Sequence, residues 1–296
     1  MPMTRLLLPM VLIPLLLLLA SHFGAYHPLG DSLAVFRGPI ALASAIAAIL
    51  LLRRGARMLA LMAGGLVVWS AYTVLAPRLD FTAGQQTPYV LYQKNTLFKA
   101  ATTQAMLDDI LEQAPDFVTL QEVSRRNRAL LTNLKPHYPT QLFCPFKAVG
   151  GVALAARWPM VAGSRRCIAG SGMAAMQVET PDGAVWVVSL HLNWPYPMEQ
   201  AAQLRKLVPL LKALKGPLVL GGDFNMVPWS HTMRAITEAT NTRRIGVPQY
   251  SLPLKGLYTL PIDHVLAPDN SRAAFTSKRP MLGSDHYGVL ARFYIR

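Results

Sequence analysis

Acidic residues are scarce in this chain. Across 296 residues, 15 Asp and Glu stand against 29 Lys and Arg, a net charge of +14. Charged residues together make up 15%, where a soluble protein typically carries about 25%. Such a balance favours phosphate-rich partners, nucleic acid or anionic lipid head groups. The bland alternative is solvated Lys and Arg on a generic high-pI protein, because no dense basic run occurs. Arg125, Arg126 and Arg128, then Arg165 and Arg166, form only short clusters. Cysteine is scarcer still. Cys144 and Cys167 are too few for a metal knuckle or a disulfide framework. They leave open one bridge in an oxidising compartment or two unrelated buried side chains. No internal repeat or low-complexity tract follows residue 88.

Apolar residues are abundant, at 52%. The excess sits in about the first 77 residues, where Asp31 is the single acid. Three apolar stretches occur there, at about 6–22, 33–52 and 58–75. A bilayer-spanning helix needs about 20 apolar residues, with about 17 as a working minimum. The second stretch reaches that length only with Arg37 near one end, where it can snorkel. A signal peptide would explain the first stretch but not the others. The expectation is a membrane anchor of about three transmembrane helices over 1–77, a linker at 78–88 and a globular domain over 89–296.

Orientation follows basic residues in short loops. Arg53, Arg54 and Arg57 lie between the second and third stretches, and the loop between the first and second has no Lys or Arg. With Arg5 at the N-terminus, three crossings put the domain outside. The expected location is the inner (cytoplasmic) membrane, multi-pass, with a periplasmic or otherwise extracytoplasmic domain. The bilayer is then a partner, and no obligate protein partner is evident.

In the globular part, alternation and β-rich composition predict strands at 89–95, 117–121, 151–156, 184–191, 218–220, 262–266 and 289–295. Helical spacing predicts helices at 102–114, 125–134 and 198–214. Polar residues of interest cluster where the strands stop. Glu122 ends an apolar strand, so it is either solvated or a ligand for a hard metal. His191 also ends a strand, where a structural role is the commoner one. In Gly221–Gly222–Asp223–Phe224–Asn225 the glycines read as a tight turn, with Asp223 and Asn225 side by side to orient water and bind a phosphoryl oxygen. An Asx turn is the alternative. Asp263 opens a strand. Asp285 and His286 are adjacent in a loop, and a His near carboxylates suits proton transfer from water.

The ordered set is Asn95, Gln121–Glu122, His191, Asp223-x-Asn225, Asp263 and Ser284–Asp285–His286. It resembles the endonuclease/exonuclease/phosphatase (DNase I-like) superfamily over about 88–296. The resemblance implies an α/β (α+β) fold, a four-layer sandwich with two central, mostly antiparallel sheets, here preceded by transmembrane helices. It implies Mg²⁺ (or Mn²⁺) as cofactor, with Glu122 as principal metal ligand and Asn95 and Asp285 near the metal. His286 would be the general base or a phosphate-side histidine, oriented by Asp263. Asp223 would activate water, while Asn225 and His191 contact the scissile phosphate.

The function implied is a membrane-anchored, metal-dependent phosphoester hydrolase of the phosphodiesterase or nuclease type. The alternative is a phospholipid or sphingomyelin-type phosphodiesterase, for which Trp158, Trp186, Trp194 and Trp229 are candidates to approach the bilayer, although tryptophan is commoner in cores. A third reading, a silent binding protein, sits poorly with a filled motif set. The domain, at about 210 residues, is short for the family and has no long basic insertion to grip a DNA duplex.

Overall fold

The computed structural model describes residues 2–79, 89–101, 103–256, 258–271 and 273–295. Most of the expected linker therefore lies outside the described residues. Two six-stranded sheets form the centre. The first contains β1 (Tyr89–Asn95), β2 (Phe117–Val123), β3 (Thr140–Lys147), β4 (Gly150–Ala156), β13 (Ala273–Arg279) and β14 (Gly288–Phe293), in the order β13-β14-β1-β2-β4-β3. The second contains β5 (Arg166–Cys167), β6 (Met173–Thr180), β7 (Gly183–His191), β8 (Leu218–Asp223), β9 (Thr242–Arg244) and β12 (Asp263–Pro268), in the order β5-β6-β7-β8-β12-β9. Only β1–β2 and β7–β8 pair in parallel. A small hairpin, β10 (Leu252–Leu254) and β11 (Tyr258–Leu260), stands apart from both.

Eight helices complete the described chain: α1 (Pro2–Ala20), α2 (Pro28–Val35), α3 (Arg37–Arg53), α4 (Arg57–Leu75), α5 (Gln104–Gln113), α6 (Ala129–Leu134), α7 (Gln200–Lys212) and α8 (His231–Thr240). Strands buried on both faces alternate between two apolar layers. In β4, Val152, Leu154 and Ala156 face the second sheet, while Ala153 and Ala155 face α5 and α6. In β7, Val185 and Val187 face the first sheet, while Trp186, Val188 and Leu190 face α7 and α8. The result is the expected four-layer sandwich.

Several expectations are corrected. Gly221 and Gly222 form no turn; they lie inside β8. A Cβ on Gly221 would sit 2.2 Å from Thr119 Oγ1 of the facing sheet, and one on Gly222 2.3 Å from the Leu190 carbonyl oxygen of the neighbouring strand, so the glycines let the sheets and the strands close up. Cys144 and Cys167 form a disulfide joining the outer strands of the two sheets, β3 and β5. Its closed loop spans 23 residues, so reduction should cost about 3 kcal/mol of stability. Thermal unfolding with and without dithiothreitol checks this; an unchanged midpoint would show the bridge to be energetically idle.

The N-terminal region also differs. Among the described residues one helix, running from Arg57 to Arg78, is by itself long and apolar enough to cross a bilayer. The second expected span is broken: α2 and α3 meet at 82° around Phe36, and they count as one span only if bent. In α1 the apolar part among the described side chains is Pro9–Ala20. Arg37 does not snorkel. It is buried, with Nε donating to Ser21 Oγ (3.0 Å), Nη1 to Thr73 Oγ1 (3.1 Å) and to the Trp229 carbonyl (3.4 Å), and Nη2 to the Ser21 carbonyl. A guanidinium with this many fixed acceptors is a junction rather than an interfacial float.

Asp31 is buried too. Its carboxylate accepts from the backbone N–H of His231 and Thr232, both at 2.8 Å, and from Thr232 Oγ1 at 2.7 Å. It thus caps the start of α8, where the helix dipole favours a negative charge. Ala34 and Val35 of α2 belong to the same apolar cluster as Trp229, Met233 and Leu252. Through these residues α2 is built into the outer apolar layer of the globular part, with Val74 of α4 packed against it.

Candidate active site

The site forms where five strand ends and one loop meet. Glu122, His191, Asp223, Asn225, Asp285 and His286 line one cavity of about 570 Å³. Asn95 and Asp263 are buried and bond to the lining groups from below. All eight residues singled out in the sequence are therefore brought together.

β2 and β4 fall out of register between Leu120 and Val123, and Glu122 takes a φ of +57°. Such a bulge re-aims a side chain, and left-handed backbone at a non-glycine residue costs about 1–3 kcal/mol, which surrounding structure must offset. The Glu122 carboxylate accepts from Phe98 N–H (2.9 Å) and from Asn95 Nδ2 (3.1 Å). Burial pushes its pKa up against those two bonds. Asn225 is likewise left-handed, at φ +47°. Its Nδ2 donates to the Leu192 carbonyl (2.8 Å), and its Oδ1 has no hydrogen-bond partner among the described residues.

Asp223 ends β8 opposite His191 of β7. One oxygen accepts from Asn225 N–H (2.9 Å), the other from Asn95 Nδ2 (3.0 Å). Burial pushes its carboxyl up to about 7, opposed by nearby His286 and reinforced by the Asp263 charge. The His191 and His286 Nε2 atoms stand 3.6 and 3.8 Å from it, too far for good hydrogen bonds. His286 Nδ1 is 2.8 Å from Asp263 Oδ2. Burial opposes a charge on His286, but Asp263, with Asp223 and that hydrogen bond, prevails and raises its pKa. Asp263, although buried, is held below the usual carboxylate range by the same imidazole and its hydrogen bonds. His191 goes the other way: burial, then the His286 charge, lower it to about 4. Its Nδ1 is buried with no hydrogen-bond partner among the described residues.

The oxygen of Asn95 accepts from Leu97 N–H (3.0 Å), and its amide bridges Glu122 and Asp223. Asn95 therefore spaces two carboxylates, with one of the two lone pairs of its oxygen committed to Leu97 N–H. One atom each of Asp223, Asp263 and His286 lie within 4.8 Å of one another, as a shared cation would require. Asp263, however, spends one oxygen on His286 and the other on Gln93 Nε2 (2.8 Å). Glu122, exposed Asp285 and Asn225 also bring oxygens to the cavity, and Asn225 Oδ1 has no hydrogen-bond partner among the described residues. A carboxylate whose burial is only partly offset and an orphaned amide oxygen fit such an ion.

Sequence reasoning missed the supports beneath the site. Gln93 bonds both Asp263 and Gln121, and Gln121 bonds Ser189, all at 2.8 to 3.0 Å. Lys94 is fully buried and donates to the carbonyls of His286 (2.7 Å) and Pro280 (2.9 Å). Burial lowers its pKa to about 8. The run Gln93–Lys94–Asn95 closing an apolar strand was the available signal: three polar residues there cannot all face water.

Residues 92–286 match the Endonuclease/Exonuclease/phosphatase family. No curated protein matches the chain. Among solved structures, an endonuclease/exonuclease/phosphatase from Beutenbergia cavernae is similar over 71% of this chain and 72% of its own, at 17% identity and a TM-score of 0.58. The human nocturnin catalytic domain is similar over 72% of this chain and 96% of its own, at 20% identity and 0.53. Sphingomyelinase C from Streptomyces griseocarneus is similar over 70% and 99%, at 18% identity and 0.51. At these identities the structures speak for the fold, and the family match for the lineage. The chain belongs to the endonuclease/exonuclease/phosphatase family.

Proposed function

We propose that the chain is a membrane-held, divalent-metal-dependent phosphodiester hydrolase. The observation that carries this reading is the meeting, in one cavity, of Asp223 with His286, 3.8 Å apart, the imidazole held by a second carboxylate, Asp263, at 2.8 Å; burial raises the pKa of Asp223, and the Asp263 charge raises that of His286. Groups pushed apart in this way divide the acid and base work. Asp223, fixed by Asn95 and Asn225, takes a proton from the attacking water. The water oxygen bonds phosphorus as one P–O ester bond breaks. His286, its Nδ1 occupied by Asp263, presents Nε2 to the phosphoryl or leaving oxygen. That makes it a phosphate-side acid rather than the base. Neutral His191 is placed to contact the phosphate. Glu122, Asp285 and the Asn225 oxygen would hold Mg²⁺ or Mn²⁺, which neutralises charge on phosphoryl oxygens when bound.

The membrane part is supported by the span-length helix at Arg57–Arg78 and by the outward apolar faces of α3 and α4, such as Leu42, Leu61 and Val68. The disulfide supports an extracytoplasmic domain, since such bridges persist in oxidising compartments.

The test is hydrolysis of bis(p-nitrophenyl) phosphate by the detergent-solubilised full chain with Mg²⁺ or Mn²⁺. Chelation by EDTA should abolish turnover, and Glu122→Gln should raise the half-saturating metal concentration at least about tenfold. Turnover that survives chelation would sink the reading. A second outcome concerns pH. Asp263→Asn removes the charge that holds His286 protonated, so the His286 pKa falls. The alkaline fall of the pH–rate profile should then move to lower pH by about 1–3 pH units. An unmoved alkaline limb would deny His286 its role as the acid.

A further inference from the structure

We infer that the catalytic cavity opens at the bilayer surface and that its substrate is a lipid-borne phosphodiester, the head-group linkage of a membrane lipid. This rests on the reading above and names its substrate class. Two walls of the cavity stand on the N-terminal helices. The first is the segment after His191, whose Trp194 lines the cavity. Two residues on, the Tyr196 carbonyl accepts from Ser32 Oγ at 2.7 Å, and its ring lies 5.7 Å from His27. The second wall is the β10–β11 hairpin, of which Leu252 and Lys255 line the cavity. Leu254 and Tyr258 of this hairpin pack on the cluster that holds Ala34 of α2 and takes Val74 of α4. Arg78, just past α4, donates to Tyr250 and lies over its ring.

These contacts fall at one end of the helical bundle. Arg37 gathers the end of α1, the start of α3, the last turn of α4 and the Trp229 carbonyl. The Arg53–Arg57 turn closes the other end. At 17 and 19 residues, α3 and α4 are about 26 and 29 Å long, close to the roughly 30 Å hydrocarbon core of a bilayer. With the bundle inserted, the end that carries the two walls lies at head-group depth.

The side chains there suit that depth. Trp194 and Tyr196 are each 46% exposed, Met198 61% and Tyr26 85%. The other tryptophans considered for the interface do not reach it: Trp186 and Trp229 are buried, and Trp158 packs on the inter-sheet core. Tryptophan and tyrosine are the residues enriched at membrane interfaces. Lys255, at the hairpin tip, forms no ion pair among the described residues and offers its charge to anionic head groups. Walls that stand on helix ends, with Trp194 in the cavity and Tyr196, Met198 and Tyr26 exposed beside it, suit a lipid better than a polynucleotide. Hydrolysis there adds water across one P–O bond and leaves a phosphomonoester and an alcohol.

The test reconstitutes the full chain in vesicles of equal parts phosphatidylcholine and phosphatidylglycerol, with Mg²⁺, bis(p-nitrophenyl) phosphate and single-stranded or duplex DNA as separate substrates. Vesicle lipid should turn over at least about tenfold faster than DNA per phosphodiester, since confinement to one surface raises effective concentration. Cleavage of DNA and the nitrophenyl ester with lipid intact overturns this inference and leaves the phosphodiesterase reading standing. Failure on all three overturns both. Independently of activity, quenching of tryptophan fluorescence by phosphatidylcholine brominated near the head group should weaken in Trp194→Phe. Equal quenching in the variant would place Trp194 in water and overturn the inference.

Discussion

Asp223→Asn is expected to lower kcat on bis(p-nitrophenyl) phosphate by about 10²–10⁴-fold, the range that one positioned acid–base group supplies, while cooperative unfolding survives. The substitution keeps the size of the side chain and the oxygen that accepts from Asn225 N–H. It removes the basic lone pair and turns an amide toward Asn95 Nδ2, which now donates to that position. The stability sign runs in favour of the variant. Because burial raises the Asp223 pKa to about 7, its contribution to stability is full below about 4 and is lost as pH rises through about 7. At pH 8 the charged carboxylate opposes folding, so removing it offsets the strained amide contact. His286→Ala should cost a similar factor, and the double variant little more, because the two act in one step. A variant with wild-type rate would take the base away from Asp223.

The sandwich was legible because its central strands are buried on both faces. Strands such as β2, β7 and β12 read as short apolar runs with a polar residue at an end. Edge elements were not legible, and neither was β6, an interior strand that the sequence reading did not predict. β3 carries Pro145 and alternates with exposed residues, β13 reads as polar, and α8 has too few apolar residues to be separated from a loop. The site was legible as an ordered set of residues and illegible as a set of roles. Nothing in the spacing says that the Asn95 oxygen is taken by Leu97, or that Asp263 bonds both His286 and Gln93. These bonds run across 2, 23 and 170 residues of chain, and only the folded geometry pairs them. Asp31 and Arg37 were hidden for a similar reason. In an apolar stretch a lone charge reads as a loop residue or a snorkeling one, and only its partners on α8 and at Trp229 show otherwise.

Deleting residues 1–79 is expected to give an insoluble or unfolded product, which is the sharper consequence of that pairing. The deletion uncovers the side of the outer apolar cluster where Ala34 and Val35 pack with Trp229, Met233 and Leu252. It also strips Trp229 Nε1 of its acceptor, the Ala34 carbonyl at 2.8 Å, and α8 of the Asp31 cap. Asp31→Ala isolates the last of these. Ser230 Oγ still accepts from Met233 N–H, but the donors at His231 and Thr232 lose their carboxylate. A lost helix cap costs about 1 kcal/mol and each buried donor left unpaired about 1–3. Because Thr232 Oγ1 can turn toward Gln200, 3.3 Å away, about 2–4 kcal/mol is expected in all. Thermal unfolding of the solubilised full chain reads this directly, and the midpoint should fall by several degrees. Asp31→Asn, which keeps one acceptor, should fall between the variant and wild type. The opposite result is a soluble, cooperatively folded 80–296 fragment with full activity and an unchanged midpoint in Asp31→Ala. It would reduce the N-terminal helices to a tether and remove the rigid coupling by which they set where the catalytic cavity points.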